Sequence, residues 1–423
     1  MTEARRPSLL FISPRFLFPM DQGGKIRSGN ILRALKGGAF EVTLASPRPE
    51  GVEAHQAELD SACDHFVSWP EEPAGKFARL ASILSPLPIA AASDVSRAGS
   101  ACVANAIAQK PDVVVVDFPH AGVLTPKQID AATVLFTHNV EAEIFERHAQ
   151  RARGLWRWVW NDQSRKMTRF EGDVLRRTDC SIAVSKRDKA ALSARYGLAN
   201  VETIDTGVDL DFFTAAPADA APDPGADGGT LVFTATMSWP ANVDGINFLL
   251  DEVWPTLVQA RPNIRACIIG QNPPAALVNK VSQRALNVEL TGFVDDIRPY
   301  VARSNVYVIP LFVGSGTRIK AFEAMAMGRP VVSTALGVEG LDVVDGETFL
   351  RADDAEEFSR AILSLLDDGA KRARLASAGR QLVEERFSWA TVGAQFQKIC
   401  LSAMGRYRAR HDADRREADR NRP

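Results

Sequence analysis

Residues 310–330 read Pro310-Leu-Phe-Val-Gly-Ser-Gly-Thr-Arg-Ile-Lys-Ala-Phe-Glu-Ala-Met-Ala-Met-Gly-Arg-Pro330, between the apolar runs Val306-Tyr-Val-Ile309 and Val331-Val-Ser333. The order is strand, glycine loop, helix, strand. Gly314 and Gly316 allow the backbone to approach a ligand closely, Thr317 can cap a helix, and Gly328 with Pro330 can end it. The start of such a helix presents unpaired N–H groups and the positive end of the helix dipole, so it suits an anion. Arg318 and Lys320 add positive charge at that end. This is unfavourable by up to about 1 kcal/mol, and a bound diphosphate removes the conflict, the alternative being two solvated surface cations. Ser315 sits between the two glycines, and Glu323 is the single acid in the run Ala321 to Met327. A buried carboxylate on such an apolar helix needs hydrogen-bond partners, and ribose hydroxyls would serve, the alternative being a Glu on the exposed stripe of the helix.

Outward from this segment, short apolar runs alternate with helical patterns along the whole chain. Leu9 to Ile12, Val42 to Ala45, Val113 to Val116, Val134 to Phe136 and Ser181 to Val184 form a first series. Leu231 to Thr234, Ala266 to Ile269, Val288 to Leu290, Val306 to Ile309 and Val331 to Ser333 form a second. Runs of this kind are parallel strands buried on both faces and joined by helices. At 423 residues the chain exceeds what one core organises. The expected fold class is therefore α/β, two Rossmann-like domains facing each other across a cleft. Thr214 to Gly229 is almost wholly Ala, Pro, Asp and Gly, which cannot bury enough apolar surface to order itself. The expected domains are 1–213, a linker over 214–229, and 230–388. A C-terminal helix over 389–407 is expected to pack back on the first domain, before a disordered charged tail over 408–423.

Composition excludes several classes. A hydrophobic fraction of 46% and a charged fraction of 24% are those of an ordinary globular protein. A formal net charge of -2 draws the chain to no nucleic acid. Five dispersed cysteines suggest reduced thiols in a cytoplasmic compartment. The apolar run Leu9 to Ile12 is too short for a signal peptide, and no run reaches the roughly 18 residues of a spanning helix.

Glu323-Ala-Met-Ala-Met-Gly-Arg-Pro-Val-Val332 resembles the signature of the retaining glycosyltransferases of group 1, or family 4, which have the GT-B fold. The resemblance implies that Glu323 holds the donor ribose. It also implies that the Gly314, Ser315, Gly316 and Thr317 backbone, with Arg318 or Lys320, holds the diphosphate. The family usually has a Glu where this chain has Ser315, so altered donor handling is expected. Gly292-Phe-Val-Asp-Asp296 is similar to the stretch that lies against the base, making Phe293 its candidate neighbour, the alternative being a core Phe. Gly23 and Gly24, after the first strand, could bring amides to the donor phosphate. His138, after the strand ending at Phe136, matches a family histidine, which implies a contact to the transferred sugar or acceptor hydroxyl. Ala183 to Asp188 and Thr206 to Phe213 are read as architectural. No metal or other cofactor is expected; the nucleotide sugar is a substrate.

Arg147 to Arg177 is rich in arginine, with Trp156, Trp158 and Trp160 among the charges. That suits the anionic inner face of a cytoplasmic membrane, where lipid-linked acceptors lie, the alternative being a solvated helix with its tryptophans in the core. The expected activity is transfer of a sugar with retention onto a glycan or lipid-linked acceptor, in surface polysaccharide or glycolipid synthesis. A nucleotide-sugar epimerase would need several acid–base residues near Ser315, which are lacking, and a dinucleotide oxidoreductase would need a Gly-x-Gly-x-x-Gly after a first strand, also lacking. A non-catalytic sugar-nucleotide sensor remains the other alternative.

Overall fold

The ten apolar runs of the two series coincide with strands, only Val184 falling one residue past its strand, because a segment buried on both faces of a parallel sheet has no polar side to present. The structure is a computed structural model that describes residues 5–71, 85–214, 228–237, 239–284, 286–313 and 319–420. It divides into two units, residues 1–205 with 392–423, and residues 206–391.

The first unit carries seven strands, all paired in parallel. They are β1 Ser8–Ile12, β2 Glu41–Arg48, β3 His65–Pro70, β4 Val113–Asp117, β5 Ala132–Phe136, β6 Cys180–Ala183 and β7 Val201–Thr203. Their order in the sheet is β3-β2-β1-β4-β5-β6-β7, so the direction of winding reverses between β1 and β4. Leu9 pairs with both Val42 and Val113, and all three are fully buried. The second unit repeats the plan with β8 Thr230–Thr234, β9 Arg265–Ile269, β10 Val288–Gly292, β11 Val306–Ile309, β12 Val331–Ser333 and β13 Leu350–Arg351, in the order β10-β9-β8-β11-β12-β13. Its reversal falls between β8 and β11. In open sheets of this kind ligands bind beyond the carboxyl ends of the strands at the reversal, which directs attention to the loops after β1 and β4 and after β8 and β11.

Two boundary expectations are corrected. Thr206 to Phe213 belongs to the second unit, not the first. The Val208 amide donates to the Phe387 carbonyl at 2.7 Å, and Val208, Leu210 and Phe213 join the second core. Arg298 lies over the Phe212 ring at 4.2 Å and donates to its carbonyl at 3.1 Å. Most of the expected linker lies outside the described residues. The tail expected to be disordered is instead the end of one helix, Trp389–Arg420. Val392, Phe396, Cys400 and Ala403 form its buried stripe. Its charges find partners on the first unit, where Arg408 pairs with Asp112, Arg410 with Asp179, and the Tyr407 hydroxyl donates to Asp130 at 2.7 Å.

Candidate functional site

In the second unit β11 runs into Pro310–Val313, and the helix Ile319–Ala326 returns the chain to β12. Gly314, Ser315, Gly316, Thr317 and Arg318 lie outside the described residues. The helix buries Ala321, Phe322, Ala324 and Met325, with Phe322 stacked on Phe387 at 4.0 Å between centroids. Gly328, at φ +66°, closes it: the Gly328 amide donates to the Met325 carbonyl and the Arg329 amide to that of Ala324. This pair of bonds satisfies the last carbonyls and requires the left-handed conformation that glycine adopts without strain.

Lys320 and Glu323 stand on the first turns of that helix, next to the β8/β11 reversal. The Lys320 Nζ is 5.3 Å from the centre of the buried Phe233 ring on β8. Glu323 bears on Tyr307 of β11, whose buried hydroxyl meets Thr234 Oγ1 of β8. Burial, with the Glu323 charge second, pushes the Tyr307 hydroxyl up. Burial likewise raises the Glu323 carboxyl to about 6, and Lys320 opposes the rise. Among the described residues, none donates a hydrogen bond to this carboxylate. Phe293, after β10, is 71% exposed, so it is not a core side chain. The loops gather closely at this end of the sheet. A Cβ on Gly270 would lie 1.7 Å from the Ala235 carbonyl oxygen, and one on Gly245 2.1 Å from that of Pro310, so both positions admit only glycine.

At the β1/β4 reversal of the first unit the structure assembles a buried network that sequence reading did not find. The Asp117 carboxylate, at the end of β4, accepts from Ser13 Oγ at 3.1 Å, Ser28 Oγ at 2.9 Å and His138 Nε2 at 2.7 Å. Arg27 approaches His138 Nδ1 at 3.1 Å. A guanidinium can only donate, so Nδ1 accepts and Nε2 carries the proton towards Asp117. His138 is 3% exposed and its ring stacks on Phe118 at 3.9 Å. Burial lowers its pKa, Asp117 opposes, and the Arg27 charge lowers it further, so the imidazole is neutral. Burial also brings Arg27 down to about 10.

Both ring nitrogens of His138 have partners within the chain, Nδ1 towards Arg27 and Nε2 towards Asp117. The visible signal was Asp117, an acid closing a wholly apolar strand at its carboxyl end. Gly23 and Gly24 open the helix Gly23–Leu35, which has no side-chain cap and no acid in its first turn. At Gly24 a Cβ would lie 2.5 Å from the Phe118 ring, so its smallness serves packing.

On the helix Leu155–Arg176, Leu155, Trp156 and Trp158 are 77%, 64% and 69% exposed, whereas Trp160 stacks on His148 at 4.6 Å. A groove of about 560 Å³ beside this helix is lined by Arg165, Arg169, Arg176 and Arg195 together with Glu146 and Asp173. Among the described residues no cluster of three His, Cys, Asp or Glu side chains could hold a metal ion, and no helix is long and apolar enough to cross a membrane.

Residues 228–368 match the family model for glycosyl transferases group 1, and residues 23–212 that for glycosyltransferase family 4. A phosphatidyl-myo-inositol mannosyltransferase of Mycolicibacterium smegmatis is 28% identical over 207 residues, 48% of this chain and 52% of that protein. The chain spans about half the length of the curated relatives it matches. Among solved structures, Anabaena Alr3699/HepE in complex with UDP superposes with a TM-score of 0.64 at 16% identity, covering 93% of this chain and 100% of that one. Sucrose-phosphate synthase from Thermosynechococcus elongatus does so with a TM-score of 0.64 at 19% identity, covering 96% and 100%. The architecture is thus that of the GT-B proteins, two Rossmann-like parallel-sheet units. A glycosyltransferase family model thus matches much of each unit.

Proposed function

We propose that the protein moves a sugar from a nucleotide-activated donor to an acceptor hydroxyl with retention at the anomeric carbon. The observation that carries this is Glu323, a partly buried carboxylate beside the β8/β11 reversal, with Lys320 on the same helix face and no donor from the described residues. Ribose hydroxyls satisfy such a group, and the diphosphate then reaches Lys320, Arg318 and the amides of Gly314 to Thr317. Phe293 offers the base an exposed ring. UDP in the HepE structure and the mannosyltransferase names of the relatives support a nucleotide-sugar donor.

In this scheme charge building on the leaving diphosphate meets fixed cations and amides, which lowers the barrier to cleaving the glycosidic bond. The acceptor attacks from the face the nucleotide leaves, and the departing phosphate oxygen takes the acceptor's proton. No protein nucleophile is needed. The test is thermal denaturation with UDP-, GDP- and ADP-sugars, followed by a transfer assay with whichever binds. A donor present at a hundred times its Kd stabilises the native state by about 2.7 kcal/mol, enough to raise the midpoint by several degrees. Midpoints that no nucleotide sugar moves would remove the reading.

The relatives' name, phosphatidyl-myo-inositol mannosyltransferase, also supports a lipid-borne acceptor, which we place at the inner face of the cytoplasmic membrane. The exposed Leu155, Trp156 and Trp158 suit the interface, and the arginine-lined groove further along the same helix suits anionic headgroups. Co-sedimentation with vesicles containing phosphatidylglycerol should exceed that with phosphatidylcholine alone. Trp156→Ala with Trp158→Ala should lower the bound fraction by about tenfold; equal binding of the two proteins would end the membrane assignment.

A further inference from the structure

Phe118, the residue after β4, holds a backbone at φ +67° and ψ 145°, a conformation that L side chains rarely adopt. Its amide extends the strand ladder, donating to the Phe136 carbonyl of β5 at 2.9 Å, and the Pro119 that follows keeps its ψ extended. Glycine takes such a conformation without strain. A phenyl ring kept there against the backbone's preference points to a contact that requires it. The ring lies on the His138 imidazole, 3.9 Å between centroids and 25° between planes, and reaches His120 at 4.9 Å. Its edge fits over Gly24, where a Cβ would be 2.5 Å from the phenyl Cζ. Phe136 also packs on His138, at 4.4 Å, but from an ordinary strand backbone.

His138 is buried and Phe118 only half-buried, so the phenyl ring takes the solvent side of this stack. The polar groups that face the imidazole are the Asp117 carboxylate of β4, Arg27 and Ser28 of the helix Gly23–Leu35, and His120 of the turn after β4, itself held neutral by burial. Burial is the largest influence on the His138 pKa and lowers it, Asp117 opposes, and Arg27 reinforces the fall. Excluding water therefore keeps the ring neutral. That state matters to the geometry, because only a neutral imidazole can accept from Arg27 while it donates to Asp117. A protonated ring donates from both nitrogens and releases the guanidinium.

We propose that Phe118 is a positioning residue for sugar transfer, closing the Asp117–His138–Arg27 network against water and so fixing its geometry at the β1/β4 reversal. It acts through His138 and touches no substrate. This rests on the glycosyltransferase reading.

The experiment pairs NMR with kinetics on the full chain. Histidine labelled with carbon-13 at Cε1 gives six resonances, of which His138→Gln identifies one. In Phe118→Gly the midpoint of that resonance should rise from its lowered value towards the ordinary 6.5. Turnover is read as transfer or hydrolysis of whichever nucleotide sugar raises the melting midpoint. The acid limb of the kcat profile should move up with the resonance, kcat falling about tenfold for each unit below the new midpoint and approaching the wild-type value at pH 8, with the donor KM unchanged. Phe118→Asn, which also tolerates a positive φ, decides alone should Phe118→Gly lose its cooperative melt. A variant kcat profile that coincides with the wild type overturns the assignment. So does a uniform loss at every pH with the His138 midpoint unmoved, the pattern of a packing role alone. A wild type that neither binds nor turns over any nucleotide sugar strikes the glycosyltransferase reading, and this inference falls with it; a wild type that turns over beside an unaltered variant strikes this inference alone.

Discussion

Replacing Arg318 and Lys320 together by alanine is expected to lower kcat/KM for sugar transfer by a factor of about a thousand or more while leaving the melting midpoint almost unchanged. The two effects separate because Lys320 stands in the first turn of the Ile319–Ala326 helix, where the dipole is already positive, and Arg318 precedes that helix in sequence. A cation at that end opposes the dipole by up to about 1 kcal/mol. Lys320 makes its nearest aromatic contact with the buried Phe233 ring, at 5.3 Å, and alanine keeps the helix intact. With a donor bound, the same charges face the leaving diphosphate, and their contribution grows as the bond breaks. Single-turnover kinetics beside a circular dichroism melt make the comparison, and retention of full turnover by the double variant would show that the diphosphate docks elsewhere.

The fold was legible where burial leaves a local trace. β1, β4, β5, β8 and β11 are interior strands covered on both faces, and their unbroken apolar runs announce a parallel sheet. β3 lies at a sheet edge with Trp69 its one buried residue, while β7 and β13 are three and two residues long, so none carries a buried apolar run long enough to read. The domain boundary was displaced for another reason. The Ala, Pro, Asp and Gly composition after Thr214 marks where the chain stops packing, not where it changes partner. Val208, Leu210 and Phe213 join a core whose members Val383 and Phe387 come far later in sequence.

The candidate site divides along the same line. Glu323 and Lys320 stood out because a charge within a short apolar helix is a local anomaly. Asp117, Arg27, Ser13 and Ser28 are individually unremarkable, and only the topology of the sheet brings them around His138. His138 was found for its place after β5, whereas a sequence shows where an imidazole stands and not which groups its nitrogens meet.

Glu323→Gln should move stability and donor affinity in opposite directions, a pattern that a structural role alone does not produce. The wild-type carboxyl has its pKa raised by burial to about 6, above the ordinary 4.5. The stability it contributes is therefore fully present below pH 4.5 and lost as the pH rises through about 6. At pH 8 the ionised carboxylate costs the fold about 2 kcal/mol, and the glutamine variant, which cannot ionise, should be the more stable protein there but not at pH 4. A donor ribose reverses the preference, because two hydroxyls donating to the ionised carboxylate repay its lost hydration. Wild-type affinity for the nucleotide should then be constant above pH 7 and weaken by up to about tenfold per unit below pH 6. The glutamine variant should bind about tenfold to a hundredfold more weakly at pH 8 and show no such slope. Titration calorimetry from pH 5 to 8, beside melts over the same range, reads both quantities. Equal, pH-independent affinities for the two proteins would separate Glu323 from the ribose even if the stability difference appeared as stated.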